Sequence, residues 1–342
     1  MVHGSGDNKQ AIIGTCGRKM EEDKGLQGMR GWASIMVMCF HIVTNLPFVI
    51  PLLLFPLYSG YSGVYLFFLI SGYILMRKID SEDYKSRGKF DATKYYLRRI
   101  FRIWPLYFIA IPLFAQEYGI PIIWQDFLFV QNYLPSTWAW TPAWTLLIEE
   151  FFYLILPLWA IAFRKNWLYS LIGMFGLSLG YVLLVVKMYG SLSLFSFGQF
   201  PMFAFCYALG TIAARGKVLK VGWGIILAIW LFASTIFLGT QSAIGVLIFS
   251  VVYFLVLGNM KESRVFTNRV SGFLGSLAYP IYILGMPVKF FLVWRLGISN
   301  LMWIPLAVFI TIGLAYVLHR SVERPLIGLG RRIESRISTA LE

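Results

Sequence analysis

Apolar length and positive charge alternate along this chain, and that alternation confines it to a membrane-spanning fold. About ten hydrophobic runs, roughly 32–54, 61–76, 100–116, 143–163, 167–186, 199–214, 222–238, 241–258, 275–295 and 300–319, are separated by short polar gaps. Runs of about 20 apolar residues are what crossing a hydrocarbon core requires. With the N-terminus set on the cytoplasmic side, 27 of the 30 Lys and Arg fall in the two tails and in alternate gaps on that same side. The exceptions are Lys187, Lys289 and Arg295. Basic residues near span ends mark the cytoplasmic face. The sequence therefore predicts an all-α, polytopic integral membrane protein with about ten transmembrane helices, both termini cytoplasmic, in the cell membrane.

Composition agrees. Of 342 residues, 58% are hydrophobic and only 13% charged, against about 25% charged in soluble domains. The net charge of +14 would suggest nucleic acid in a soluble protein. Here the basic residues flank apolar runs, so membrane lipid headgroups are the expected partner and nucleic acid is not. The three cysteines, Cys16, Cys39 and Cys206, are odd in number and lack ligand spacing, so neither a disulfide framework nor a metal site is expected. Residues 1–28 are polar and mixed in charge, without the apolar run of a cleaved signal, and read as a partly disordered cytoplasmic tail. Residues 29–325 form the transmembrane domain and 326–342 a basic cytoplasmic tail. The 80–94 stretch reads as a solvated loop. The 122–142 stretch, apolar but interrupted by Asp, Asn and Pro, reads as re-entrant or interfacial.

Ionisable side chains inside a span are costly and are candidates for function. His41 lies ten residues into the first run, about 14 Å deep at 1.5 Å per residue. Imidazole is stable there as a neutral group and can still accept a proton. It reads either as a general base or as a polar link between helices. Arg30, eleven residues earlier, stands at the cytoplasmic mouth of the same helix, where the simplest role is an interfacial anchor. Arg98, Arg99 and Arg102 share roughly one helix face. Three guanidiniums there suit a phosphate group, or anchor the helix to lipid phosphate. Glu149 and Glu150 are adjacent, so they point about 100° apart and at most one is expected to face the protein interior. Two carboxylates inside a span argue for function. Ser71-Gly72 reads as a small-residue packing site. His319 reads as interfacial and His3 carries no signal.

In order along the chain, these pieces resemble the acyltransferase 3 family of membrane acyltransferases. Arg30-Gly31 followed by His41 matches its opening motif. Gly63, Val64, Phe67, Phe68, Ser71 and Gly72 match the next, and Arg98, Arg99, Arg102, Ile103 and Pro105 the basic motif. Gln131-Asn132 and the run Trp144, Thr145, Leu146, Glu149, Glu150, Phe152 and Tyr153 follow, then Tyr279 and Tyr282, then Glu323-Arg324-Pro325. Three positions depart: Tyr65 stands where an acidic residue is common, Phe151 where Gln is common, and Gly285 where many members carry His. The missing histidine puts acceptor binding in question.

The resemblance implies that residues 29–325 are an acyltransferase domain. That domain would move an acyl group, usually acetyl, from cytoplasmic acyl-CoA to a hydroxyl of a carbohydrate or glycolipid acceptor, with no metal. His41 would be the catalytic base and Glu149 would either orient it or hold the acceptor. Arg30, Arg98, Arg99 and Arg102 would grip the phosphates of acetyl-CoA. Asn132, Trp144 and Glu150 would line the acceptor site. An appended extracytoplasmic hydrolase-like domain, carried by some members, is not expected. The rival reading is a transporter or flippase that uses the same intramembrane polar residues without acyl transfer.

Overall fold

The structure, a computed structural model, describes residues 6–43, 58–80, 85–86, 89–118, 124–130, 143–190, 198–236, 242–297 and 303–340. Nearly all of these are helical. Helix α1 (Gly6–Val43) is followed by a 3-10 turn at Ser59–Ser62 and by α2 (Gly63–Asp80). Two-residue strands β1 (Lys85–Ser86) and β2 (Lys89–Phe90) pair antiparallel in the gap that follows, and Asp91 Oδ1 accepts from the Lys94 amide to start α3 (Ala92–Tyr118). Then come α4 (Trp124–Phe127), α5 (Ala143–Lys165), α6 (Trp167–Tyr189), α7 (Phe200–Ala214), α8 (Trp223–Ile236) and α9 (Ala243–Met260). The chain closes with α10 (Arg264–Thr267), α11 (Arg269–Ser276), α12 (Ala278–Phe290), α13 (Trp303–Leu318) and α14 (Arg324–Ala340). Single π turns follow α12 at Phe291–Arg295 and join α13 to α14 at His319–Glu323.

The described parts of the ten predicted runs fall on these helices, yet among the described residues fewer helices meet the length and apolarity of a crossing. Five do: Ser59–Ile79, Trp144–Lys165, Trp167–Tyr189, Ala243–Met260 and Trp303–Ile337. A sixth is added if Arg269–Ser276 and Ala278–Val293, bent by 70°, count as one span. Of the first run only 32–43 lies among the described residues; the rest of the difference has physical sources. Helix α3 begins with Lys94, Arg98, Arg99 and Arg102, and α7 and α8 are 15 and 14 residues long. The segment read as a disordered tail is helical from Gly6 onward, because extending a formed helix costs far less than starting one. Of the 122–142 stretch, residues 131–142 lie outside the described residues.

Glycine sets how closely the central helices approach. A Cβ at Gly210 would sit 2.1 Å from the Leu69 carbonyl oxygen, and one at Gly72 2.5 Å from that of Tyr207, so α2 and α7 cross with their backbones in contact. The packing role expected of Gly72 is thus its role. Around this crossing lies an aromatic core in which Tyr207 stacks on Phe152 at 3.9 Å and on Phe68 at 5.0 Å between centroids. Helix α1 docks on α11 in the same way: a Cβ at Gly31 would lie 2.4 Å from the Gly275 amide nitrogen. By contrast Tyr169, Leu183, Leu158 and Phe309 point outward, the apolar exterior that lipid demands.

Two substitutions test this packing. Gly210→Val should destabilise the purified protein by about 1–3 kcal/mol, the usual cost of overpacking a dense core, read as a lower Tm in detergent. Gly176 lies on α6, and a methyl group added there would meet no atom within 4 Å. Gly176→Ala should therefore leave Tm unchanged or slightly raised.

Candidate active site

Four helices converge on a small cleft of about 40 Å3. Arg30 reaches it from α1, Val64, Phe67 and Phe68 from α2, Thr145, Leu146 and Glu149 from α5, and Ala278, Tyr279 and Tyr282 from α12. Hydroxyl groups lock its wall. Tyr282 shares a hydrogen bond with Thr145, and Tyr279 donates to the Ile103 carbonyl at 2.8 Å. Glu149 is held from two sides, because Ser71 Oγ donates to its Oε1 at 2.6 Å and Tyr153 donates to the same oxygen. Ser71 therefore does more than make room for packing.

From this cleft α1 and α12 run side by side. Arg30, Ser34, Met38 and His41 are spaced four, four and three residues apart, which places them along one stripe of α1. Tyr282, Gly285 and Lys289 do the same on α12. The stripes meet in register. Arg30 and Tyr282 share the cleft, a Cβ on Gly285 would lie 3.0 Å from Met38 Cγ, and Lys289 Nζ donates to the backbone carbonyl of His41. Arg30 and His41 are thus about 16 Å apart along the helix axis at 1.5 Å per residue. His41 is half-buried, with its ring 5.2 Å from that of Phe40. It does not line the cleft.

The three arginines of α3 separate. Arg98 is clamped by Glu334 of α14 through two bonds, Nε to Oε2 at 2.7 Å and a terminal nitrogen to Oε1 at 2.6 Å. Arg99 is buried, its guanidinium 5.6 Å from the centre of the Tyr153 ring. Arg102 faces Arg30 and Arg99 as like charges and Glu323 as an opposite charge. The common face expected of the three thus holds for Arg99 and Arg102, while Arg98, 100° from Arg99 on a helix of 3.6 residues per turn, turns to the C-terminal helix. Glu323 is buried and also accepts from His319 Nδ1 at 2.6 Å across the π turn. His319, read as interfacial, is thus one half of a largely buried pair. π turns interrupt helices most often at functional sites.

The two glutamates diverge, but neither leaves the protein. Both are half-buried. Glu149 turns to α2, and Glu150 has Trp104 of α3, Glu149 and Arg99 as its neighbours. The expectation that only one would face inward fails because α5 is flanked by α2 on one side and α3 on the other. Its lipid-facing arc is carried by Phe151, Leu154 and Leu158 instead. Trp144 packs its ring 5.7 Å from Phe203, beside the cleft residue Thr145. Asn132 lies outside the described residues.

Two residues of this region carry no role in the sequence reading. Glu323 is visible there as part of the Glu-Arg-Pro motif, without sign of its partner. Lys289 is visible as a charge inside the 275–295 run, where it counts only as one of three exceptions to the charge map. Among the described residues no group of three His, Cys, Asp or Glu is placed to hold a metal ion.

Comparison with known proteins gives this arrangement a family. The family model described as an acyltransferase domain, acyltransferase 3, matches residues 23–320. A protein of Acidianus two-tailed virus named as an acetyltransferase, ORF330, is 26% identical over 296 residues, covering 76% of this chain and 82% of its own. Acyltransferase MdmB of Streptomyces mycarofaciens is 31% identical over 160 residues, 41% of this chain and 40% of its own. O-acetyltransferase OatA of Staphylococcus aureus is 30% identical over 155 residues, 39% of this chain and 24% of its own. The chain thus spans less than half the length of the latter two relatives. No solved structure matches. With the matched region running through every element that builds the cleft and the arginine cluster, the chain belongs to the acyltransferase 3 family.

Proposed function

We propose that this protein transfers an acetyl group from cytoplasmic acetyl-CoA to a hydroxyl of a carbohydrate or glycolipid acceptor, within the cell membrane. The observation that carries the reading is the register of α1 against α12. It sets the cationic cluster of Arg30 and Arg102 at one end of a shared helix stripe and His41 at the other. An acyl donor with an anionic head and a long neutral arm fits such an axis. The relatives named as acetyltransferases and O-acetyltransferases support acetyl as the group and oxygen as its destination.

In this reading Arg30, Arg99 and Arg102 bind the phosphates of the donor, since guanidinium and phosphate form charge-assisted bonds. Arg98 joins them only if its clamp with Glu334 opens. His41 accepts the proton of the acceptor hydroxyl as its oxygen bonds to the thioester carbonyl carbon. The carbon–sulfur bond then breaks, and the thiolate of coenzyme A leaves and is protonated. Glu149, tied by Ser71 and Tyr153 and facing the cleft, holds the acceptor or donor arm rather than orienting His41. Trp144, Glu150 and Asn132 contribute to the acceptor side. The orientation follows from the charge map: ten crossings, both termini cytoplasmic, and the arginine cluster at the cytoplasmic leaflet where acetyl-CoA is supplied.

Three measurements test this. Acetyl-CoA added to the purified protein should raise its Tm, whereas a transporter that does not use the donor would show no shift. His41→Ala should cut transfer of radiolabelled acetyl from acetyl-CoA to membrane glycans by about 10²–10⁴-fold, the range for a general base, with the variant still folded and inserted. Full activity in that variant refutes the mechanism. Arg102→Ala should raise the KM for acetyl-CoA by about tenfold or more, the loss of one charge-assisted bond of about 1.5–3 kcal/mol.

A further inference from the structure

Lys289 is 2% exposed. It lies on α12 within an apolar cluster that includes Met38, Ile42, Val43, Val288 and Leu292. A lysine there has lost its water, and no bulk solvent is at hand in the membrane to replace it. Its ammonium donates to the carbonyl of His41. That carbonyl belongs to the turn of α1 that carries the candidate base. A buried ammonium needs an acceptor within the protein, and the bond to this carbonyl ties α12 to α1 at the level of His41.

The protein sets other cations on helix carbonyls, in different surroundings. Lys220 Nζ donates to the Gly258 carbonyl of α9 at 2.8 Å. Arg164 reaches the Ile79 carbonyl of α2 at 3.4 Å. Both cations lie in polar gaps between apolar runs, where water would serve those carbonyls equally well. Lys289 lies inside an apolar run, and the turn that it holds carries His41. The neighbouring position Gly285 keeps α12 within contact of Met38, so the lysine reaches α1 without its helix standing off.

We propose that Lys289 is a positioning residue for His41: its ammonium group holds the backbone of α1 at His41 and so fixes where the imidazole stands. This rests on the reading of His41 as the proton acceptor. The residue acts through His41 and makes no bond to the donor.

The test uses the full chain in membrane vesicles from producing cells, with radiolabelled acetyl-CoA as donor and the vesicle glycans as acceptor. Lys289→Met removes the donor group and the charge at nearly constant shape, and Lys289→Arg keeps both. Lys289→Met should lower the maximal rate per folded protein tenfold or more while leaving the KM for acetyl-CoA within twofold, and Lys289→Arg should restore at least a third of the wild-type rate. A wild-type rate in Lys289→Met, or an equal loss in both variants, overturns the proposal. If Lys289→Met does not fold, the rate of Lys289→Arg decides by the same threshold. A second readout needs no acceptor: carbethoxylation by diethyl pyrocarbonate, followed by peptide mass spectrometry. In Lys289→Met the rate at His41 should change at least threefold while that at His319 stays constant; an unchanged rate at His41 overturns the proposal. The parent reading fails separately, through an active His41→Ala. An inactive His41→Ala beside a fully active Lys289→Met sinks only the positioning role.

Discussion

A polar group carried into hydrocarbon must find its partner within the protein, because no solvent is there to supply one. This constraint organises the centre of the molecule. Glu149 is answered by Ser71 and Tyr153, Glu323 by His319, Arg98 by Glu334, and the His41 carbonyl by Lys289. Apart from the Tyr153 bond, which lies within α5, each pairing joins two different helices or bridges the joint between them. The polar residues are thus fasteners as well as reagents, and removing either partner strands the other.

The fasteners work only because the helices come close enough for short side chains to meet. Glycine provides that closeness at the α2–α7 and α1–α11 crossings. Ser71, next to Gly72, reaches Glu149 on α5 from a helix that is itself pressed against α7. Packing and chemistry are therefore coupled: the residues that allow close approach also set the depth and direction of those that carry charge. The π turn at His319–Glu323 is one product of this coupling, since it turns Glu323 inward toward Arg102 while α14 swings back to deliver Glu334 to Arg98.

Much of this is legible in the chain itself. Apolar run length locates the helices, because a span must satisfy its own backbone and must present apolar side chains over its length. His41, Arg30 and Glu149 stand out because charge and imidazole are rare in such runs. What is not legible is partnership. Arg98 and Arg102 look equivalent at a spacing of four, yet one is clamped by Glu334 of α14 and the other lies in the field of Arg30, Arg99 and Glu323. Glu149 and Glu150 look like one inward and one outward residue, yet α5 has protein on two sides. His319 looks interfacial because it ends the last apolar run, with no sign that Glu323 four residues on turns to it. Lys289 looks like a stray external charge because linear charge counting carries no information about depth.

By itself the sequence determined the helical membrane fold, the family motifs in their order and the candidate ionisable residues, all consequences of local composition and the 3.6-residue repeat. Only the tertiary structure decided which of those residues share a cleft, which are already paired, and that Lys289 holds the turn bearing His41. The physical reason is that pairing energies depend on separations of a few ångströms between helices far apart in the chain. Those separations follow from the packing of whole helix faces, which no single stretch of sequence contains.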